Sequence, residues 1–288
     1  MEDGILHAIV FDGEAVLTLA HASQTAEEAT RLLDLSEGVS CALGRLICAA
    51  AMLAQRNKNE SEKLTLIVSG GGAAGKLLVT ADNTGRVKAC ADQPQATLPS
   101  QKIDIPALVG INGDLTVVRD NPLGTEPYVG MCKLVKGDIT RDFAAYLVTS
   151  EQQPAAVALD CGRKDGVLTC GGMMILPLPG CRRETLDRIE KKITETDDLL
   201  ARFHAHLTPE EMALDLFWDV GVKPLETVPL CYRCDCSRQR FERGLISLGK
   251  TELLSLAYEG QDTEIRCRFC NKTYHFSPEE LKNMAKEL

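Results

Sequence analysis

A chain of 288 residues, 44% hydrophobic and 25% charged, holds enough apolar side chain for one medium domain and a smaller one. Its net charge of −9 excludes the basic footprint of a dedicated nucleic-acid binder. The acidic N-terminus Met-Glu-Asp-Gly lacks the basic and apolar regions of a signal peptide, and the longest apolar run, Leu46 to Ala54, falls short of the ~20 residues that span a bilayer. The expectation is a soluble cytoplasmic protein with neither nucleic acid nor membrane as partner. Twelve cysteines in such a chain point to reduced thiols and metal rather than to a disulfide scaffold.

Residues 1–179 read as strand-rich with a few helices. Ile5–Phe11 and Ala15–Ala20 are strands joined at Asp12-Gly13, and Ser23 or Thr25 can cap a helix that runs to Leu35. The Ala/Leu-rich stretch Cys41–Gln55 is a buried helix. Leu64–Ser69, Lys76–Asp82 and Arg86–Ala91 alternate as strands, the last two joined as a hairpin by Asn83-Thr84-Gly85. Leu115–Arg119 and Tyr128–Val135 extend the sheet. Asp138 can cap a helix to Ser150, and Ala155–Leu159 and Val167–Leu178 are further strands. Strands around two or three helices make the fold class α+β.

Pro177-Leu178-Pro179-Gly180 breaks the pattern. From Arg183 to His206 the spacing is helical, with Leu186, Ile189, Ile193, Leu199, Leu200 and Phe203 on the apolar side. Thr208-Pro209-Glu210-Glu211 starts another helix, with Thr208 as N-cap. The segment 181–230 carries seven basic and eleven acidic residues. A charged segment with one apolar face is stable mainly by docking, which makes it a low-stability element. The resulting division is 1–179, a helical linker at 180–230, and a terminal module at 231–288.

In that module Ser237 caps a helix toward Leu248, a second helix spans Thr251–Tyr258, and Glu264–Arg266 is a strand. Ser277-Pro278-Glu279-Glu280 opens a final helix. The module also concentrates the cysteines. Cys234-Asp-Cys236, thirty intervening residues and Cys267-Arg-Phe-Cys270 can bring four thiolates to one tetrahedral ion, and zinc suits four sulfurs. Cys231 offers an alternative Cys231-x-x-Cys234 knuckle, and spacing alone does not choose four ligands from five. A module of 58 residues is near the limit for a self-supporting core, whereas structural zinc contributes about 10–16 kcal/mol, so the module should fold with metal and unfold without it. Cys41, Cys48, Cys90, Cys132, Cys161 and Cys170 are scattered singly and read as small buried hydrophobes. Cys181, near the break, is a candidate for exposure.

Four weaker signals lead elsewhere. Gly70 to Lys76 mimics a phosphate loop, but Leu77 stands where a hydroxyl is needed and a strand follows instead of a helix. His204-x-His206 lies on a charged helix face and reads as solvated. Arg238, Arg240 and Arg243 are the local argument for a zinc-ribbon nucleic-acid module, set against a formal module charge of only +1. A thiol oxidoreductase built on Cys267-x-x-Cys270 lacks the expected strand-to-helix context.

The Cys-x-Cys and Cys-x-x-Cys half-sites resemble the zinc signature of the thirty-three-kilodalton heat-shock protein family, bacterial redox-regulated holdase chaperones. SGGGAAGKLLVTADNTGRVKA (69–89), YVGMCKLVKGDITRDFAAYLVTSEQQPAAV (128–157) and CGGMMILPLPG (170–180) are similar to blocks of its N-terminal domain, in the same order. The resemblance implies a non-enzymatic, ATP-independent chaperone that binds unfolding client proteins. It implies one zinc per chain on Cys234, Cys236, Cys267 and Cys270 in the reduced, inactive state. Oxidation would form Cys234–Cys236 and Cys267–Cys270 disulfides, release zinc, unfold module and linker, and favour a homodimer. Cys231 departs from the family pattern. A Cys-x-Cys disulfide closes a very small ring and should be easily reduced, which suits a reversible sensor.

Overall fold

The computed structural model describes residues 2–57, 59, 62–99, 103–120, 126–196, 199–205, 208–286 and 288. The chain forms two compact units that divide between Arg233 and Cys234, and the fold is mixed α+β.

The first unit is built on two sheets around one buried helix. β1 (Gly4–Val10) and β2 (Ala15–His21) pair antiparallel through a tight turn at Phe11–Gly13. After α1 (Ser23–Leu33) comes α2 (Glu37–Ala54), whose N-terminus is capped by Ser36 Oγ accepting from the Val39 N–H. α2 is apolar and long enough to cross a membrane by composition, but 83% of it is buried inside the protein, so it is the central core helix. β3 (Lys63–Ser69), β4 (Leu77–Asp82) and β5 (Arg86–Ala91) form an antiparallel meander. They are followed by α3 (Ile105–Val109), β6 (Asp114–Arg119), β7 (Tyr128–Lys133) and α4 (Thr140–Thr149). β8 (Ala156–Lys164) and β9 (Val167–Pro177) form a long hairpin.

The remaining elements of the unit are α5 (Arg183–Glu195), α6 (Leu199–His204), α7 (Pro209–Phe217), β10 (Val222–Pro229) and the two-residue β11 (Cys231–Tyr232). One sheet has the order β10-β1-β2-β9-β8 and the other β11-β5-β4-β3-β6-β7. Period-two alternation gives the first sheet two apolar faces. Ile5, Ala20, Cys170 and Met174 point into the core shared with α2 and the second sheet. Leu6, Val10, Leu17, Leu19, Met173 and Ile175 point the other way, into a second core closed by Ile189, Leu199, Phe203, Met212, Leu216 and Phe217 of α5–α7. Helices α5–α7 of the charged segment 181–230 are thus the outer cover of one sheet, and its β10 is an edge strand of that sheet.

Four local expectations are corrected. Neither Ser23 nor Thr25 caps α1. The buried carboxylate of Asp3 does so from across the unit, accepting from the N–H groups of Gln24 (3.1 Å) and Thr25 (2.6 Å). The helical spacing from Arg183 to His206 is interrupted after Glu195, where Thr196 leaves helical geometry; His206 lies outside the described residues. Residues 222–229 were not expected to be a strand, yet they pair with β1 along its length as β10, and a register shift opposite His7/Ala8 accommodates Pro224 on this edge. Cys132 is half-buried rather than buried, like Cys181. Elsewhere the expected starts hold: Thr208 and Glu211 form a reciprocal capping box at α7, and Asp138 accepts from the Arg141 N–H at the start of α4.

The second unit holds α8 (Arg238–Ser247), α9 (Lys250–Tyr258), the hairpin of β12 (Thr263–Arg266) and β13 (Thr273–Phe276), and α10 (Pro278–Lys286). Ser237 caps α8, and Ser277 with Glu280 forms the capping box of α10. Among the described residues its buried apolar core is small: Leu245, Leu253, Ala257, Tyr274, Phe276, Leu281 and Ala285.

Candidate metal centre

Two local structures in the second unit bring four sulfurs together. The β12–β13 connection folds back on itself: the Cys267 N–H bonds the Lys272 carbonyl and the Asn271 N–H bonds the Cys267 carbonyl, both at 2.9 Å. Asn271 adopts the left-handed conformation this tight turn requires (φ 57°). Cys267 and Cys270 therefore face the same side. Cys234 and Cys236 lie on the stretch that runs into the Ser237 cap of α8, with the Cys236 N–H bonded back to Cys234 Sγ.

Cys234, Cys236, Cys267 and Cys270 have all their sulfurs within 4.8 Å of one another. Cys234 Sγ is 3.6 Å from Cys267 Sγ and Cys236 Sγ 3.5 Å from Cys270 Sγ. A tetrahedral ion with metal–sulfur bonds of about 2.3 Å needs sulfurs about 3.8 Å apart, so the protein's own geometry fits such an ion. Cys267 is buried and the other three are half-buried.

The surroundings favour a thiolate at Cys236. The Cys236 N–H donates to Cys234 Sγ and the Lys272 N–H to Cys270 Sγ. Burial opposes charge on Cys236, but the Tyr274 hydroxyl, 3.2 Å away, and the neighbouring thiols donate to its sulfur and hold its pKa below the ordinary thiol value. Cys234 is pushed up and Cys270 up to about 11, in each case first by burial. Tyr274, donating to Cys236, is pushed up to about 12. Cys236 is thus the sulfur most ready to ionise, and Tyr274, packed 4.9 Å from the Phe241 ring, fixes its donor. The sequence placed Tyr274 next to the second knuckle but gave no sign of this contact. His275 is a strand residue of β13.

Cys231 is not one of the four. It belongs to the first unit, where β11 pairs parallel with β5 and the Cys231 N–H bonds the Gly85 carbonyl. The other candidate motifs carry structural duties. Gly70–Lys76 joins two antiparallel strands with no helix after it, and a Cβ at Gly70 or Gly72 would run into the backbone of Val109 and Gly110. His204 Nδ1 lies 3.2 Å from Thr169 Oγ1. Arg238 pairs with Glu242 and Glu280, and Arg240 with Asp235, so two of the three clustered arginines face acids of their own unit.

Comparison with known proteins agrees over the whole chain. The Hsp33 protein family profile matches residues 3–277. The 33 kDa chaperonin of Thermoanaerobacter sp. strain X514 is 35% identical over 291 residues, 99% of each chain. That of Clostridioides difficile strain 630 is 34% identical over 294 residues, 100% of each. The crystal structure of the 33 kDa chaperonin (heat shock protein 33 homolog) from Thermotoga maritima matches with a TM-score of 0.89 at 28% identity, covering 100% of this chain and 99% of that one. The profile match over residues 3–277, the relatives more than 30% identical along nearly the whole of both chains and the structural match place this chain in the Hsp33 family.

Proposed function

We propose that this chain is a redox-gated, ATP-independent holdase that acts without catalysis on unfolding proteins. The observation that carries the reading is the four-sulfur cluster in a unit with only a seven-residue buried core. Zinc held by Cys234, Cys236, Cys267 and Cys270, one ion per chain, supplies the folding free energy such a core lacks, about 10–16 kcal/mol. Residues 1–179 are the chaperone body, 180–230 the linker and 231–288 the switch module.

Oxidation would work through the sulfurs. Each pair of thiolates gives two electrons to one peroxide, which takes up two protons and leaves as two waters, and the disulfide formed no longer holds a cation. Cys234–Cys236 and Cys267–Cys270 are the proposed pairs. All four sulfurs are mutual neighbours, so proximity allows the crossed pairs as well, but pairing within each half closes far shorter loops. Loss of the metal would unfold the second unit. Helices α5–α7 of the linker, docked through their apolar face, would then leave and uncover Leu6, Val10, Leu17, Leu19, Met173 and Ile175. An apolar sheet face of this kind suits unfolded client segments, or a second copy of the chain in an active homodimer. The acidic net charge and the paired arginines favour this over the nucleic-acid reading, and a cytoplasmic site follows from a thiol centre that must start reduced.

The test compares reduced, zinc-loaded protein with peroxide-treated protein for suppression of client aggregation, with zinc release and disulfide mapping on the same samples. Suppression that appears with zinc loss and reverses with thiol reductant plus zinc is expected. Equal suppression by the reduced form would remove the gate from the proposal. Crossed disulfides would remove only the pairing.

A further inference from the structure

Four cysteines that look isolated in the sequence form a continuous seam in the core of the first unit. Cys41 and Cys48 lie seven residues apart on α2, two turns along one face. Cys161 of β8 and Cys170 of β9 are register partners across their hairpin. Side-chain contacts run Cys41 to Cys161, Cys161 to Cys170 and Cys170 to Cys48, and the last two sulfurs are 3.6 Å apart. Exposures are 1%, 5%, 0% and 0% for Cys41, Cys161, Cys170 and Cys48, so no solvent separates them. Gly44 lies over the middle of the seam. A Cβ there would be 2.6 Å from Cys161 Sγ and 2.9 Å from Cys170 Sγ, so a larger residue would hold α2 off the hairpin.

We infer that Cys48 and Cys170 are a second dithiol site, separate from the terminal cluster, which closes to a disulfide between α2 and β9 when peroxide or hypochlorous acid reaches the seam. With peroxide the Cys48 thiol gives up its proton, the thiolate sulfur attacks one oxygen, the O–O bond breaks, and a sulfenic acid and hydroxide form, the hydroxide taking up that proton as water. The Cys170 sulfur then attacks the sulfenic sulfur, its proton leaves with the hydroxyl as water, and the S–S bond is made. Two thiols and one peroxide give one disulfide and two waters.

The closed fold restrains this reaction. Cys41, Cys161 and Cys170 are held well above the ordinary thiol pKa: Cys41 first because it donates to Cys161, Cys161 first through its hydrogen bond with Cys170, and all three by burial. Protonated, solvent-free thiols are poor nucleophiles, so oxidation waits for the seam to open. Once made, the bond ties the central helix to a central strand across 122 positions of sequence. It would staple the body, and the site does not depend on the zinc switch being correct.

The experiment uses the full chain. Protein is treated with peroxide in graded, sub-denaturing urea, quenched with an alkylating agent, digested and mapped by mass spectrometry. A Cys48–Cys170 linked peptide, increasing with urea as α2 amide exchange increases, is expected. The calorimetric midpoint of the first unit should rise by about 5–10 °C. Thiol reductant should return it, Cys48→Ala should abolish the rise, and Cys41→Ala should retain it. Sulfinic or sulfonic acid at these positions, a Cys161–Cys170 link in place of Cys48–Cys170, or no link under conditions where α2 exchanges would each overturn the inference. Reversal by reductant in the unmutated chain keeps the test valid if either variant folds poorly.

Discussion

Shortening Phe203 to alanine should loosen the linker in fully reduced, zinc-loaded protein. The side chain is 1% exposed, and the tip of its ring fills the space above Gly171. A Cβ built on Gly171 would lie 2.2, 2.3 and 2.5 Å from Phe203 Cζ, Cε1 and Cε2. The ring also packs against His21, centroids 5.6 Å apart. α6 has six residues, and its buried anchors are Leu199 and Phe203. A helix that short has no stability of its own, so the cost of the truncation falls on docking. Phe-to-Ala changes in a core cost about 3–5 kcal/mol. At about 1.4 kcal/mol per tenfold, the opening equilibrium of α6 shifts by roughly two to three and a half powers of ten. Gly171→Ala attacks the same contact from the sheet and leaves the linker sequence intact, at about 1–3 kcal/mol of overpacking. Hydrogen exchange in 199–205 reads the opening, and client aggregation in the presence of reductant reads the function. Both variants should exchange faster and suppress aggregation without oxidant. If exchange rises more than a hundredfold and the reduced protein still fails to hold client, the face beneath α5–α7 is not the client surface. If exchange does not change, the Phe203–Gly171 contact is not what holds α6.

Removing metal with a strong chelator under reducing conditions should unfold the second unit and leave the first intact, because about 10–16 kcal/mol is lost from a seven-residue core; persistent amide protection in α9 and α10 would contradict this. Cys270→Ser should give the same result without chelator. Asp3→Ala leaves the N–H groups of Gln24 and Thr25 without their acceptor and removes the carboxylate facing His21 Nδ1, so denaturant titration of the first unit should show a loss of about 2–4 kcal/mol; a change under 0.5 kcal/mol would mean that another group caps α1. The Thr185 hydroxyl and the Arg182 N–H and guanidinium hold Glu14 at about 2 against a usual 4.5. Its folded pKa is depressed, so this tether to the start of α5 is present above pH 4.5 and lost as pH falls toward 2. Exchange at 183–186 should rise over that window in the unmutated protein, and Glu14→Gln should flatten the dependence.

Where local chemistry decided a structure, the sequence carried it. Thr208-Pro209-Glu210-Glu211 and Ser277-Pro278-Glu279-Glu280 fix helix starts by contacts three residues apart, and both helices begin there. The two cysteine groups were legible as a candidate metal site for the same reason, but spacing left Cys231 as an alternative, and the choice of Cys234, Cys236, Cys267 and Cys270 came from the family resemblance and agrees with the cluster in the fold. What escaped was fixed at long range. β10 contains Pro224 and ends at Pro229, which argue against a strand until β1 supplies a partner and a register shift to absorb the first of them. The α1 cap comes from Asp3, about twenty residues away in sequence, so local inspection chose Ser23 and Thr25 instead. The core thiols left a partial trace. The i, i+7 spacing of Cys41 and Cys48 marks one helix face, and the Asp165-Gly166 turn, with both residues at positive φ, sets the Cys161–Cys170 register. Only the packing of α2 on that hairpin joins the two pairs.

Surroundings, more than residue type, separate the two groups of cysteines. In the second unit the groups aimed at sulfur are donors: the N–H groups of Cys236 and Lys272 and the Tyr274 hydroxyl. Donors stabilise a thiolate. In the core seam of the first unit the partners of sulfur are other thiols and, for Cys161, the Ser40 carbonyl, which accepts. Acceptors stabilise a protonated thiol. Oxidant reacts with thiolate, so Cys236, the sulfur held below the ordinary thiol value, is the one these hydrogen bonds ready first. Core size then decides what oxidation does. A unit that leans on its ligand for most of its folding free energy loses its fold when the sulfurs are consumed. A unit with two apolar cores and a helix buried between sheets keeps its fold and gains a cross-link. On the proposed reading a sensor would belong on the small unit, and the segment it released would be one held mainly by apolar docking, as α5–α7 are on one face of one sheet.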